Sequence, residues 1–402
     1  LGVAGFGATS VLCALAPNVE LLVAARGLQG VAGALLVPSS LAILTEVYRD
    51  PVQRGAAIGT WTAATSAAIA VGPPVGGVLI DQLSWRAIFA MNVPIVAAAL
   101  VIALRHVPAL EPAPGHSRRV DLPGALLCAG GLGGVVLGTI EQPEHGWGSP
   151  LVALPLAAGV ALLAAFVVWE RRAREPMLPL GLFGERTFSV ANAATVSVYA
   201  GLGGAMFFLT LFLQQVGGYS ATEGGLAGVP VTLMLIALSR RWGALAERIG
   251  PRVLMTAGPA VMAIGLSLFT LIDADAAYAS QVLPGIALFG LGLSMTVAPL
   301  TTTVLSAVDD RHAGVASGVN NAMARVAGLL AIAGVGAVVA GRLGAPTFAA
   351  AATDDAVAAF HAGTWVCVAL LVVGAITSFV GLRGGHRDGS SSRRPAPPSG
   401  TL

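Results

Sequence analysis

Residues 151–174 read LVALPLAAGVALLAAFVVWERRAR. An uncharged apolar run, 151–169, gives way at once to Glu170, Arg171, Arg172 and Arg174. A helix needs about 20 apolar residues to cross the hydrocarbon core of a bilayer. A cluster of arginines just beyond such a run marks its cytoplasmic end. The same pattern recurs along the chain, with apolar runs at 1–17, 21–42, 56–79, 87–104, 122–140 and 151–169. A second set follows at 188–213, 225–238, 253–272, 282–305, 314–340 and 360–382. Of the 402 residues, 55% are hydrophobic and only 10% charged, too little polar surface for a soluble chain of this length; the mean hydropathy is +0.81. The runs are continuous rather than alternating, which predicts helices and not barrel strands. Backbone amides in lipid must pair within their own segment, and a helix does this. The expected fold class is an all-α polytopic membrane protein.

Orientation comes from arginine, because the chain contains no lysine. Alternate threading of the runs puts Arg49, Arg54, Arg105, Arg118, Arg119, Arg171, Arg172, Arg174 and Arg186 on one face. Arg240, Arg241, Arg248, Arg252, Arg311, Arg383, Arg387, Arg393 and Arg394 fall on that face too, leaving only Arg86 and Arg342 for the other. The positive-inside rule makes the arginine-rich face, and the C-terminus, cytoplasmic. These arginines set topology, so the net charge of +2 implies no nucleic-acid partner. Residues 106–120 read as a cytoplasmic linker, 171–187 as a second cytoplasmic stretch and 383–402 as a disordered polar tail. Cys13, Cys128 and Cys367 lie in separate runs without metal-ligand spacing and read as small buried apolar residues. With no lysine there is no phosphate-loop lysine, and neither HExxH nor GxSxG occurs; no enzyme chemistry, cofactor or metal is expected.

Function is therefore sought in polar and helix-breaking residues at membrane depth. Arg26, with Gln29 and Gly30 on the same helical face, is either a cavity-facing charge or an arginine tied to backbone carbonyls. Arg325, near Asn320 and Asn321, poses the same choice. Asn192, Thr195 and Tyr199 fall at helical spacing on the seventh run. Met206, Phe207, Phe208 and Phe212 are candidates for an apolar substrate surface, or more simply for lipid-facing packing. In AVGPPVGG, 70–77, Pro73 and Pro74 remove hydrogen-bond donors, while Gly72, Gly76 and Gly77 permit close helix approach; a gate and a static kink both fit.

Three stretches taken together resemble a known family: RGLQG from Arg26, GPPVGG from Gly72, and SWRAIFAMNVP over 84–94. In this order they resemble the major facilitator superfamily, and within it the fourteen-span drug:proton antiporters. GPPVGG is similar to that family's antiporter motif, with Ala68 where its first glycine is usual. Asp121 with Gly124, and Gly146 with Trp147, bracket a helix resembling the first of two extra central spans. Residues 243–252, GALAERIGPR, resemble the cytoplasmic loop motif through Gly243, Glu247, Arg248, Gly250 and Arg252, with Glu247 in place of aspartate. The resemblance implies that this acid and these arginines clamp helix ends.

It also implies two helical bundles: a partial four-span bundle at 1–105, a central pair at 121–170 and a six-helix bundle at 188–382. About twelve spans are then present of an expected fourteen. The first run resembles the family's third, and Leu1 opens inside an apolar run without a basic flank, so two upstream spans are expected. No Asp or Glu lies mid-span, since Glu46, Asp121, Glu141 and Glu223 sit at span ends. The coupling carboxylate is expected on those upstream helices, with Arg26 tuning its pKa. The resemblance implies a plasma-membrane exporter working by alternating access, with protons and small amphipathic or cationic compounds as partners. An exporter dedicated to one metabolite or lipid, and a membrane fragment that does not transport, are the alternatives.

Overall fold

A computed structural model describes residues 2–48, 50–106, 121–173, 176–309, 312–345 and 347–382; at some positions between 37 and 70, and at 143, 144 and 313, it describes the backbone alone. The linker from 107 to 120 and the tail from 383 lie outside the described residues. So do Arg49, Arg118, Arg119, Arg174, Arg311, Arg383, Arg387, Arg393 and Arg394.

Among the described residues there are fourteen α-helices and no β-strand. The first part holds α1 (Gly2–Ala14), α2 (Val19–Val47), α3 (Pro51–Gln82), α4 (Trp85–Ala90) and α5 (Asn92–His106). A pair follows, α6 (Leu122–His145) and α7 (Pro150–Arg172). The second part holds α8 (Arg186–Gln215), α9 (Ala221–Ala227), α10 (Val229–Ile249), α11 (Pro251–Ser267), α12 (Leu283–Ser306), α13 (Ala313–Leu343) and α14 (Thr353–Gly381). Helical units occupy each of the twelve expected positions, with α4 and α5 sharing one and α9 and α10 another. Among the described residues, ten units are long and apolar enough to cross a membrane; α1, with 13 residues, is shorter.

One boundary moves far. The expected eighth span ends at 238, but α10 continues to Ile249. The reason is legible in the chain: Trp242, Leu245, Ala246 and Ile249 recur at helical spacing, and only Gly250–Pro251 stops them. Gly250 adopts φ 85° and ψ 150°, a positive-φ conformation that glycine takes without strain.

Lipid tails are as apolar as leucine, so helices in a bilayer associate through close packing rather than water exclusion. The α6–α7 pair is built this way. A Cβ on Gly159 would sit 2.5 Å from the Val135 nitrogen and 2.7 Å from the Gly131 oxygen, and one on Gly138 would sit 2.9 Å from the Val152 oxygen. The second part adds an aromatic core, in which Phe212 stacks on Phe360 at 4.4 Å and meets Phe348 edge-on at 5.9 Å. Phe208 and Phe212 are buried there, so they face neither lipid nor substrate; of this group only Phe207 is exposed. The reason is tertiary: α14 and the turn at 348–350 cover one face of α8, which α8's own composition does not reveal.

Arginine also closes helix ends. The guanidinium of Arg186 donates to the Gly381 and Val380 carbonyls at 3.0 and 3.1 Å, and Arg252 donates to the Phe379 carbonyl at 2.9 Å. These carbonyls end α14, where no next turn exists to pair them and the helix dipole is negative. Gly159→Leu is expected to force α6 and α7 apart and destabilise the protein by about 1–3 kcal/mol, read as a lower melting temperature in detergent.

Candidate functional site

The two parts of the chain meet where the proline–glycine stretch of α3 lies on α9. α3 runs unbroken through Pro73 and Pro74. A Cβ on Gly77 would come within 2.5 Å of the Ala221 oxygen, and one on Gly225 within 2.5 Å of the Pro73 oxygen. The two backbones thus interlock through one glycine each. Gly72 and Gly76 have nothing within 4 Å of a built Cβ, so the close approach expected of all three glycines belongs to Gly77 alone.

A charged group seals this contact. Asp81, at the last turn of α3, accepts the backbone N–H groups of Ala221 at 3.1 Å and Thr222 at 2.8 Å. These are the first two residues of α9, whose N–H groups have no partner inside the helix. The third, on Glu223, goes to the Ser220 hydroxyl at 3.2 Å, and Glu223 in return accepts the Ser220 N–H at 2.8 Å. A capping box from the second part and a carboxylate from the first therefore complete one helix start between them. Hydrogen bonds from the Thr222 hydroxyl and backbone hold the Asp81 carboxyl below its ordinary value. Sequence reasoning missed Asp81, although S-x-x-E at 220–223 was a readable helix-start signal.

Among the described residues, Arg26 is tied neither to a carboxylate nor to a backbone carbonyl. Its guanidinium donates to the Gln29 side-chain oxygen at 2.7 Å and lies 5.7 Å from the centre of the Phe89 ring. Buried Gln29 donates onward to the Ser10 hydroxyl at 2.7 Å, and Cys13 Sγ lies 3.8 Å from the Gln29 oxygen. Gly30 has open space above it. A guanidinium carries five N–H donors; one hydrogen bond to a neutral amide leaves most of them free toward the exposed side.

The second polar cluster joins α8 to α13. The Asn320 amide donates to Thr195 at 2.6 Å and to the Asn192 oxygen at 3.2 Å. Asn192 and Thr195 are buried, so they hold the helices together rather than line a void. Interhelical bonds of this kind contribute about 0.6 kcal/mol each on average in membranes. Beside them opens a cavity of about 690 Å³, lined by Tyr199, Asn320, Asn321 and Arg325 together with Thr301 and Ser317. Thr301 and Ser317 were not foreseen. Arg325 is exposed to this cavity and makes no hydrogen bond or ion pair to a described residue. No carboxylate is among the residues that line it.

The 243–252 stretch divides in its roles. Gly243, Glu247 and Arg248 lie on α10, Gly250 makes the turn, and Arg252 opens α11 and clamps α14, with its guanidinium 4.6 Å from the Phe379 ring centre. Glu247 is exposed and pairs with no described residue, so the arginine half of the expected clamp is present without the acid half.

The model of the Major Facilitator Superfamily matches residues 1–332. The chain belongs to the major facilitator superfamily. It is 35% identical over 345 residues to the multidrug resistance protein Stp of Mycobacterium tuberculosis, an alignment covering 86% of this chain and 64% of that protein. It is 36% identical over 340 residues to the methylenomycin A resistance protein of Bacillus subtilis, covering 84% and 72% respectively. The puromycin resistance protein pur8 of Streptomyces alboniger is 34% identical over 99% of this chain and 81% of its own length. Among solved structures, an auto-inhibited peptide transporter of the POT family superposes with a TM-score of 0.60 at 16% identity, covering 94% of this chain and 80% of that one. That likeness supports the superfamily fold alone. The chain thus spans about two thirds of the length of the Mycobacterium protein.

The Asp81 clasp has a defined acid response. A carboxyl with a depressed pKa contributes above its ordinary value and loses that contribution only as pH falls through the depressed one. Spin labels on α3 and α9 are expected to report one short distance from neutral pH down through the usual carboxylate range. Asp81→Ala is expected to broaden that distribution toward longer distances at every pH.

Proposed function

We propose that the protein is a secondary exporter of small amphipathic compounds that works by alternating access and is driven by protons, of the fourteen-span drug:proton antiporter type. The observation that carries this is the α3–α9 contact, at which the two parts of the chain meet through a glycine interlock and a single carboxylate. A contact made by one glycine from each side separates without unravelling either helix, and that is what a gate requires. The resistance and export names carried by the curated relatives support the same reading.

In this scheme the arginine-rich face and the C-terminus are cytoplasmic and the α3–α9 contact closes the outer end. The protein sits in the plasma membrane as a first bundle over 1–105, a central pair over 121–170 and a second bundle over 188–382. Arg26 acts in proton coupling, its spare donors serving a carboxylate. Tyr199, Asn320, Asn321, Arg325, Thr301 and Ser317 form a substrate wall, and the Gly250 turn with Arg252 braces the cytoplasmic ends.

The charge of that wall refines the substrate class. An unpaired guanidinium among amides and hydroxyls, without a carboxylate, favours neutral and anionic amphiphiles over cations. A recognition surface of this kind also suits the second reading, an exporter dedicated to one acidic compound.

Transport into inverted vesicles or proteoliposomes carrying the protein tests both. Accumulation of a fluorescent amphiphile under an imposed pH gradient, abolished by a protonophore, is expected; gradient-independent accumulation would rule out proton coupling. Arg325→Ala is expected to slow an anionic probe about tenfold, equivalent to about 1.4 kcal/mol, and to leave a cationic probe within twofold. Equal loss for both would remove Arg325 from recognition.

A further inference from the structure

The export reading makes no use of the joint where α6, α7 and the segment 176–179 converge. Asp121 caps α6, its Oδ1 accepting the Gly124 N–H at 3.0 Å and the Trp169 indole N–H at 2.9 Å. Glu170 comes from the last turn of α7 and is only 4% exposed. Its Oε2 accepts the Leu178 N–H at 3.0 Å. After those bonds, Asp121 Oδ2 and Glu170 Oε1 are both buried and without a hydrogen-bond donor among the described residues. The two bare oxygens converge over the Cα of Gly124: a Cβ built there would touch Asp121 Oδ2 and lie 2.9 Å from Glu170 Oε1. Each carboxyl acts on the other.

Two ionised carboxylates facing each other in a buried site repel, and each leaves an oxygen unsatisfied. One proton between them removes both faults, because a protonated carboxyl donates while the other accepts. Which group holds the proton follows from the donors already in place. Asp121 has two N–H donors on Oδ1 and the Met177 N–H beside it, which favour its charged form. The Gly124 N–H is the first cause that keeps the Asp121 carboxyl below its ordinary value. Glu170 has one donor and the deeper burial.

We propose that Glu170 and Asp121 share one proton at neutral pH, carried on Glu170, and that this proton fastens the α6–α7 pair to the segment leading into α8. Glu170 Oε1–H donates to Asp121 Oδ2, while Oε2 keeps the Leu178 N–H. Removing the proton sets two like charges face to face, so the joint holds at neutral pH and loosens as pH rises. Among the described residues, the titratable groups facing Glu170 are Asp121 and, two turns along α6, the Cys128 thiol; Arg118, Arg119 and Arg174 lie outside the described residues. α7 adds the neutral Trp169 indole, and segment 176–179 adds backbone N–H groups. The neighbouring cavity of about 620 Å³, walled by Cys128, Phe166, Met177 and Leu178 against the apolar face of α13, brings no further charge. Met177 and Leu178 belong to both the joint and the cavity wall, so the proton also sets the width of that cavity.

Infrared titration of the full chain in lipid nanodiscs tests this. The expected spectrum at neutral pH contains a hydrogen-bonded protonated-carboxyl C=O band that disappears at alkaline pH. Glu170→Gln is expected to remove that band, and to leave thermal stability independent of pH where the unsubstituted protein loses it on alkalinisation. Asp121→Asn supplies an amide donor to Glu170 and is expected to remove the band at neutral pH. Asp81→Asn is expected to leave it intact. No protonated-carboxyl band at neutral pH in the unsubstituted protein would overturn the proposal. So would a band unchanged in Asp121→Asn, a measurement that decides the matter even where Glu170→Gln fails to fold.

Discussion

The arrangement of this molecule turns on the contact between α3 and α9. It is the principal place where the first five helices touch the second part of the chain, and it is built from backbone rather than side chains. Gly77 and Gly225 let each helix approach the other's backbone, and Asp81 supplies the acceptor that the start of α9 lacks. A side chain at either glycine would have to displace backbone, which cannot yield as a flexible side chain does.

Polar groups within the helices divide into two kinds. Asn192, Thr195, Asn320, Gln29 and Ser10 satisfy one another and fasten helices in pairs. Arg26 and Arg325 keep unsatisfied donors toward open space. A charge at the centre of a membrane helix costs about 2.5–3.5 kcal/mol on insertion scales, and under the proposed export mechanism the spare donors of Arg26 serve a coupling carboxylate and those of Arg325 the substrate. The distinction separates structural from functional candidates more sharply than depth in the membrane does.

The arginines on the basic face act twice. The positive-inside rule expects them to orient the chain, and in the folded protein Arg186 and Arg252 pair the last carbonyls of α14. A cation is favoured at a helix C-terminus, and α14 receives its arginines there, at Phe379, Val380 and Gly381.

Sequence by itself determined the helical class, the approximate places of the helices, the glycine–proline stretch of α3 and the two arginines within otherwise apolar runs. Each of these is a local property: apolar length, a basic flank, a missing donor, a charge where none is expected. The chain also held the S-x-x-E start of α9 and the Trp242–Ile249 periodicity that carries α10 past its expected end. Tertiary structure alone decided which of three glycines makes the close approach, that Phe208 and Phe212 are core, and that Asp81 completes a helix 140 residues away. It alone brought Asp121 to Glu170, 49 positions on, from helices whose sequences mark neither as a partner. These outcomes depend on which helix faces pair, and in a chain apolar on nearly every face periodicity does not say which side meets which neighbour.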